Sequence, residues 1–291
     1  MTSKGMAIAY GAATIVNAIA LGKGAALGVD LWTKAEVSLT DDPKIIKGEI
    51  ISDKSENTSL IEKTAARIFQ YFDLEDKIGA IIKTWSNIPI ARGLKSSSAA
   101  ANAVSLATLK ALNKKISDLS IISLGVDAAF EAGVTITGAF DDACASFFGD
   151  VVITDNSKRK LLKHTRIPED ATVLFFVPRQ KSYTANTNIS RFKYVKSFVN
   201  LAFNEAIHGN YWTALSLNGF IHSSILGYNP DLALESLEAG ALASGLCGKG
   251  PAVTAVVTDD NIDQVKSVFQ KYEGDIIEAL INHKKAAVIE N

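Results

Sequence analysis

The stretch GLKSSSAAANA, residues 93–103, sets a glycine, a lysine and three serines directly ahead of a run of alanines. At a helix start about four backbone N–H groups lack partners, and the macrodipole adds roughly half a positive charge. Gly93 lets a ligand approach the backbone, the N–H groups and hydroxyls of Ser96, Ser97 and Ser98 donate, and Arg92 and Lys95 add charge. That combination suits a phosphate. The alternative is a redundantly capped helix packed through its alanines. The segment is not a Walker A loop: Gly22-Lys23 and Gly248-Lys249 are each followed by glycine, with Asn17 and Ala243 where the first glycine belongs. Gly22-x-Gly24-x-x-x-Gly28 misses a dinucleotide fingerprint by one position.

A second stretch, EAGVTITGAFDDACASFFGD, residues 131–150, carries Glu131 at a helix end and the adjacent acids Asp141 and Asp142 among small and apolar neighbours. Carboxylates in such surroundings suit a metal ion, a cationic ligand or proton transfer. They suit equally a helix start stabilised by two acids. A third, SGLCGKGPA, residues 244–252, is a tight glycine-rich loop before a strand. It either supports a phosphate cradle or only turns the chain.

The elements that must position these residues follow from pattern. The spacing predicts strands at 6–10, 14–19, 25–32, 35–39, 78–85, 151–154, 173–177 and 286–289. It predicts helices at 59–71, from 96 to about 112, from 118 to a stop at Gly133, and near 191–208, 212–225, from Pro230 behind an Asn229 cap to about 243, and near 261–272. Strands and helices interleave without a strict βαβ period. The fold class is therefore α+β, in two lobes with mixed and antiparallel sheets, divided into 1–155 and 156–291.

The 291 residues are 47% hydrophobic and 21% charged, with a formal net charge of -1. No global field draws the chain to nucleic acid or to an anionic membrane. The uncharged stretch between Lys4 and Lys23 is too diluted by Gly, Thr and Asn for a signal peptide and reads as strand, turn and strand. Cys144 and Cys247 have neither disulfide nor metal-ligand spacing, which points to a reducing, cytoplasmic setting.

The order of the three stretches resembles the GHMP small-molecule kinases, whose middle motif reads approximately Pro-x-x-x-Gly-Leu-Gly-Ser-Ser-Ala. Here it is Pro89-Ile90-Ala91-Arg92-Gly93-Leu94-Lys95-Ser96-Ser97-Ser98-Ala99. The lysine and third serine, with TIVNAIALGKGAALGVDL and TGAFDDACAS, are similar to the archaeal-type shikimate kinases over nearly the whole chain. The resemblance implies the GHMP kinase fold, ATP and Mg2+, and phosphorylation of a shikimate hydroxyl to shikimate 3-phosphate. Homoserine or a mevalonate-type alcohol is the alternative acceptor, and a non-catalytic binding protein the alternative class.

Residue by residue, the resemblance implies that Pro89 and Ala91 through Ala99 wrap the ATP phosphates and that Ser97 and Glu131 hold Mg2+. Asp142, eleven residues after Glu131 and seven before Gly149, takes the proton from the attacking hydroxyl or orients it, with Asp141 capping the helix beside it. Ala13 or Thr14 stands where mevalonate kinases carry a lysine, so its work is either dispensable here or done by Lys95 or Arg92. Ala91 and Asp150 depart from the usual glycines. A shikimate carboxylate calls for a cation, with Arg179, Lys181 and Arg191 as candidates. Oligomeric state is left open.

Overall fold

The computed structural model describes residues 3–90, 92–167, 171–179 and 189–290. The chain runs β1 (Lys4–Val16), β2 (Lys23–Thr40), β3 (Ile46–Ile50), α1 (Ser59–Tyr71), β4 (Gly79–Ser86), α2 (Ser96–Ala111), α3 (Asp118–Glu131), α4 (Phe140–Phe148), β5 (Val151–Asp155) and β6 (Lys160–Thr165). Then follow β7 (Thr172–Pro178), a 3-10 turn (Ile189–Tyr194), α5 (Lys196–His208), α6 (Tyr211–Leu226), α7 (Asp231–Glu238), β8 (Ala243–Leu246), β9 (Val253–Val257), α8 (Ile262–Phe269), β10 (Gly274–Leu280) and β11 (Ala287–Val288).

The first sheet has the order β11-β1-β2-β4-β3, and β5 pairs the beginning of β2 and carries β6 on its far side. Only β3 with β4 is parallel among its pairs. The second sheet, β10-β7-β9-β8, is antiparallel throughout. The fold is the expected α+β class. The expected seam at residue 155 falls inside the hairpin β5–β6, whose two strands both extend the first sheet, and β11 returns from the far end of the chain to pair β1. Among the described residues no helix is long and apolar enough to cross a membrane.

The four short strands expected near the start are two long ones, and the physical reason is a bulge. Tyr10 pairs Trp32 but Gly11 pairs Val29, so β2 carries two extra residues there. The irregularity interrupts the ladder and the regular side-chain alternation. Before it, Ala7 and Ala9 of β1 and Ala35 and Val37 of β2 pack under the helices α1 to α4. Beyond it, Ala13, Ile15, Ala25, Leu27 and Val29 pack on the opposite face, with residues of α5, α6 and the second sheet. The broken alternation imitates a turn in the sequence.

Helix α2 lies almost wholly buried, with Ala99, Ala103 and Ala107 fully enclosed. Its alanines let it sit tight on β1: a Cβ on Gly5 would stand 2.1 Å from the Ala107 carbonyl oxygen. Helix α3 has the expected cap, Ser117 Oγ accepting from the Ser120 N–H. Helix α7 stops at Glu238, short of the expected end, because Ala243 already belongs to a fully buried strand, β8.

Candidate active site

Two helix starts converge on one cavity of about 520 Å³. Lys95 precedes α2 in the left-handed region, with φ 65°, and Ala139 precedes α4 likewise, with φ 48°. Non-glycine residues avoid that region, at a cost of roughly 1–2 kcal/mol each. Neither helix has a side-chain cap. The serines are therefore not redundant caps. The first N–H groups of α2 are left for something in the cavity, which Ser96, Ser97 and Ser98 line. Asp141 does not cap α4 as expected either: Ala139 occupies the cap position, which lets both acids of the first turn reach the cavity.

Asn102, buried in α2, fixes one helix against the other. Its amide donates to the Ala143 carbonyl at 2.9 Å and the Ser146 hydroxyl at 3.1 Å, both on α4. That register brings Lys95 Nζ to 3.1 Å from Asp142 Oδ2, with both side chains nearly enclosed. Asp142 Oδ1 is buried without a hydrogen-bond partner among the described residues, as is Thr14 Oγ1 of the cavity wall. Asp141 turns the other way. Asn156 donates to its Oδ1 at 2.7 Å and itself accepts from Thr154 Oγ1 at 2.6 Å. A Cβ on Gly24 would stand 2.2 Å from Asp141 Oδ2. Of the glycines that nearly spell a dinucleotide fingerprint, Gly24 and Gly28 thus lie in β2, where Gly24 makes room for a carboxylate.

The charges shape one another. Burial, and then the Asp142 charge, push the Asp141 carboxyl up to about 7. Burial pulls the Lys95 ammonium down, but Asp142, Cys247 and Asp141 outweigh it and leave it above its ordinary value. Burial and the Lys95 charge lower Lys249 to about 8. His222, fully buried on α6, is lowered to about 4 by burial, its Nδ1 meeting the Asn218 carbonyl at 2.8 Å.

Asp141 sets a stability prediction. Its folded value near 7 lies above an unfolded value near 3.8, so its contribution is full below about 4, declines as pH rises, and is lost above about 7. Asp141→Asn keeps an acceptor for Asn156 and removes the ionisation. The melting temperature of the variant relative to wild type should therefore rise between pH 5 and pH 8, by about 2–4 °C for each kcal/mol relieved. Thermal melts at the two pH values check it; a pH-independent difference contradicts it.

The remaining sequence candidates divide. Gly93, Lys95 and the three serines line the cavity, whereas Leu94 and Ala99 are anchored in the core. Gly93, at φ 90°, turns the loop where a Cβ would stand 3.0 Å from the Cys247 carbonyl oxygen. Arg92 donates to the Pro178 carbonyl, tying the loop to the end of β7, and Pro89 does not line the cavity. Ala91 and Lys181 lie outside the described residues.

Glu131 is not with the acids. It closes α3 with its carboxylate paired to Arg67 of α1, off the cavity wall. Arg179 is exposed and paired with Glu273 at 2.7 Å, and Arg191 donates to the Ile225 carbonyl at 3.1 Å; neither lines the cavity. Asp150, at φ 54°, takes the left-handed turn after Gly149, and its carboxylate meets His283 Nδ1 at 2.6 Å. Sequence reasoning missed Asn156, Asn102, Thr14, Asn17 and Lys249. For Lys249 the glycine-rich loop was a signal; the buried asparagines gave none.

Residues 59–150 match the GHMP kinases N-terminal domain family. The chain is 46% identical to a shikimate kinase of Methanosarcina mazei over 98% of its own length and 97% of the relative's. It is 41% identical to a shikimate kinase of Pyrococcus abyssi, over 94% and 98%. In structure it is similar to the mevalonate kinase of Methanococcus jannaschii, with TM-score 0.77 at 14% identity over 95% of this chain and 98% of that one. The homoserine kinase of Cytophaga hutchinsonii gives 0.75 at 15% identity, over 99% and 98%. The two structural likenesses carry the fold; the near-full-length identities carry the family. The chain, with its serine-lined helix start and paired lysine and aspartate, belongs to the GHMP kinases, in the branch of the archaeal shikimate kinases.

Proposed function

We propose that the protein transfers the γ-phosphoryl group of ATP to the 3-hydroxyl of shikimate, giving shikimate 3-phosphate and ADP. The acceptor is supported by near-full-length identity to relatives that are shikimate kinases. The chemistry rests on one observation, the Lys95–Asp142 pair at 3.1 Å beside the uncapped start of α2.

The backbone N–H groups of Ser96, Ser97 and Ser98 receive the nucleotide phosphates, aided by the helix dipole. Asp142 Oδ1, without a partner among the described residues, accepts the proton of the attacking hydroxyl. A new O–P bond forms at the γ-phosphorus while the bond to the β,γ-bridging oxygen breaks, so the leaving group is ADP. Lys95 holds Asp142 in place through Oδ2 and sets its charge beside the transferring group. Lys95 thereby fills the place left by the missing lysine of the first motif. Asn156 fixes Asp141 away from the hydroxyl.

Among the described residues no cluster of three or more His, Cys, Asp or Glu could hold a metal ion. That fits Mg2+, which commonly binds through one or two protein ligands plus substrate phosphates. Ser97 and a carboxylate of the Asp141–Asp142 pair would hold it, and it would supply neutralisation of phosphate charge. Glu131, committed to Arg67, stays out of this set. A cytoplasmic setting belongs to the same reading, with both cysteines free and buried.

The test is ADP release by purified protein with ATP, Mg2+ and, in turn, shikimate, homoserine and mevalonate. Turnover with shikimate alone is expected, and turnover only with another alcohol overturns the acceptor. Arg179→Met supplies a second check. With its charge engaged by Glu273 at the surface, the Michaelis constant for shikimate should stay within about twofold of wild type, as surface substitutions usually cost under about 0.5 kcal/mol. A tenfold rise would return Arg179 to the binding site.

A further inference from the structure

Lys95 and Lys249 are the two cations among the described residues that line the cavity. Lys95 faces Asp142. Lys249 rides on the loop between β8 and β9, which is closed on itself by hydrogen bonds: Cys247 N–H to the Ala252 carbonyl at 2.8 Å and Gly250 N–H to the Cys247 carbonyl at 2.9 Å. The loop is also fastened to the serine loop, Cys247 Sγ meeting the Gly93 carbonyl at 3.3 Å. Its position in the cavity is fixed by Gly248. A Cβ there would stand 2.5 Å from Lys95 Nζ and 3.4 Å from Thr14 Oγ1. The loop therefore bridges the charged pair and the end of β1, where Thr14, Asn17, Ala18 and Ile19 line the wall.

The cavity thus has two kinds of cationic ground. At the α2 start, unpaired N–H groups, a helix dipole and Lys95 all serve phosphate. The rest of the wall includes Thr14, Asn17 and apolar atoms, and Lys249 from the loop, near enough to feel the Lys95 and Asp142 charges. An acceptor with one hydroxyl at Asp142 Oδ1 has the rest of its ring within the same cavity, on the side away from the nucleotide phosphates. A small hydroxylated ring bearing a carboxylate would bring its anion to the loop rather than to α2.

Resting on shikimate as the acceptor, we propose that Lys249 holds the acceptor's carboxylate and so selects an acidic substrate over a neutral alcohol. Partial burial and the neighbouring Lys95 charge already disfavour its ammonium, which an anionic ligand would relieve. The assignment replaces Arg179 and Arg191, which lie off the cavity wall. It also gives a function to the lysine of the third glycine-rich stretch.

The experiment compares shikimate with its methyl ester, which keeps the ring and hydroxyls and loses the charge. Kinetic constants for both acceptors and for ATP are measured in wild type, Lys249→Met and Lys249→Arg, with melting temperatures as a check on folding. Lys249→Met should raise KM for shikimate about ten- to a hundredfold, the range for a lost charge-assisted hydrogen bond. It should leave KM for ATP within about twofold and move the ester little. Lys249→Arg, which keeps the charge, should recover part of the loss. A rise in KM for ATP equal to that for shikimate would assign Lys249 to the phosphates. Equal losses for acid and ester, or no loss at all, would overturn the carboxylate assignment. Absence of shikimate turnover in wild type would overturn the acceptor reading first, and is distinguishable from these because it precedes any substitution.

Discussion

Asp142→Asn should lower kcat at least about a hundredfold while the protein still folds and still binds ATP, a loss within the range of general base catalysis. The amide keeps the shape and cannot take up a proton. Asp142 is the acid whose Oδ2 meets Lys95 and whose Oδ1 has no hydrogen-bond partner among the described residues. Asp141, in contrast, is held by Asn156. The pairing, more than the motif spacing, now distinguishes them. Single-turnover kinetics together with nucleotide binding on the same preparations make the check. An active Asp142→Asn beside an inactive Asp141→Asn would move the proton to the other carboxylate.

Lys95→Met should be nearly as damaging and for two separable reasons. The ammonium beside the transferring phosphoryl group is lost, at about a hundred- to a thousandfold in turnover, as for other groups aimed at developing charge. Asp142 is also left buried without its counter-charge, which destabilises by about 3–5 kcal/mol when one member of a buried pair is removed. The double variant Lys95→Met with Asp142→Asn separates the two. It should regain much of the lost melting temperature and none of the turnover. A double variant as unstable as the single one would show that the lysine matters for packing alone.

The helices around the site were legible because their signals are local. Ser59–Tyr71 has its apolar face at helical spacing, and Ser117 and Gly133 bracket α3. The serine loop was legible because too many donors precede an alanine run. What was hidden depends on partners far away in sequence. Asn156 looks like any turn residue until β5 brings it to Asp141. The bulge at Tyr10 and Gly11 appears as a broken alternation, and only the pairing with β2 tells a bulge from a turn. Glu131 shows the reverse case: the resemblance implied a metal ligand there, while α3 ends where Arg67 of α1 takes the carboxylate. Arg179 followed a strand end, as a binding arginine can, yet β7 delivers it to the surface beside Glu273. Spacing along the chain could not report either partner.

If the Lys95–Asp142 pair drives phosphoryl transfer from ATP to shikimate, phosphorus and proton NMR of the reaction mixture will show it. Purified wild-type protein with ATP, Mg2+ and shikimate should accumulate ADP and one new phosphate monoester on the 3-hydroxyl, at a rate that falls at least about a hundredfold in Asp142→Asn. ADP without a shikimate monoester, or the same monoester formed as fast by Asp142→Asn, would contradict it.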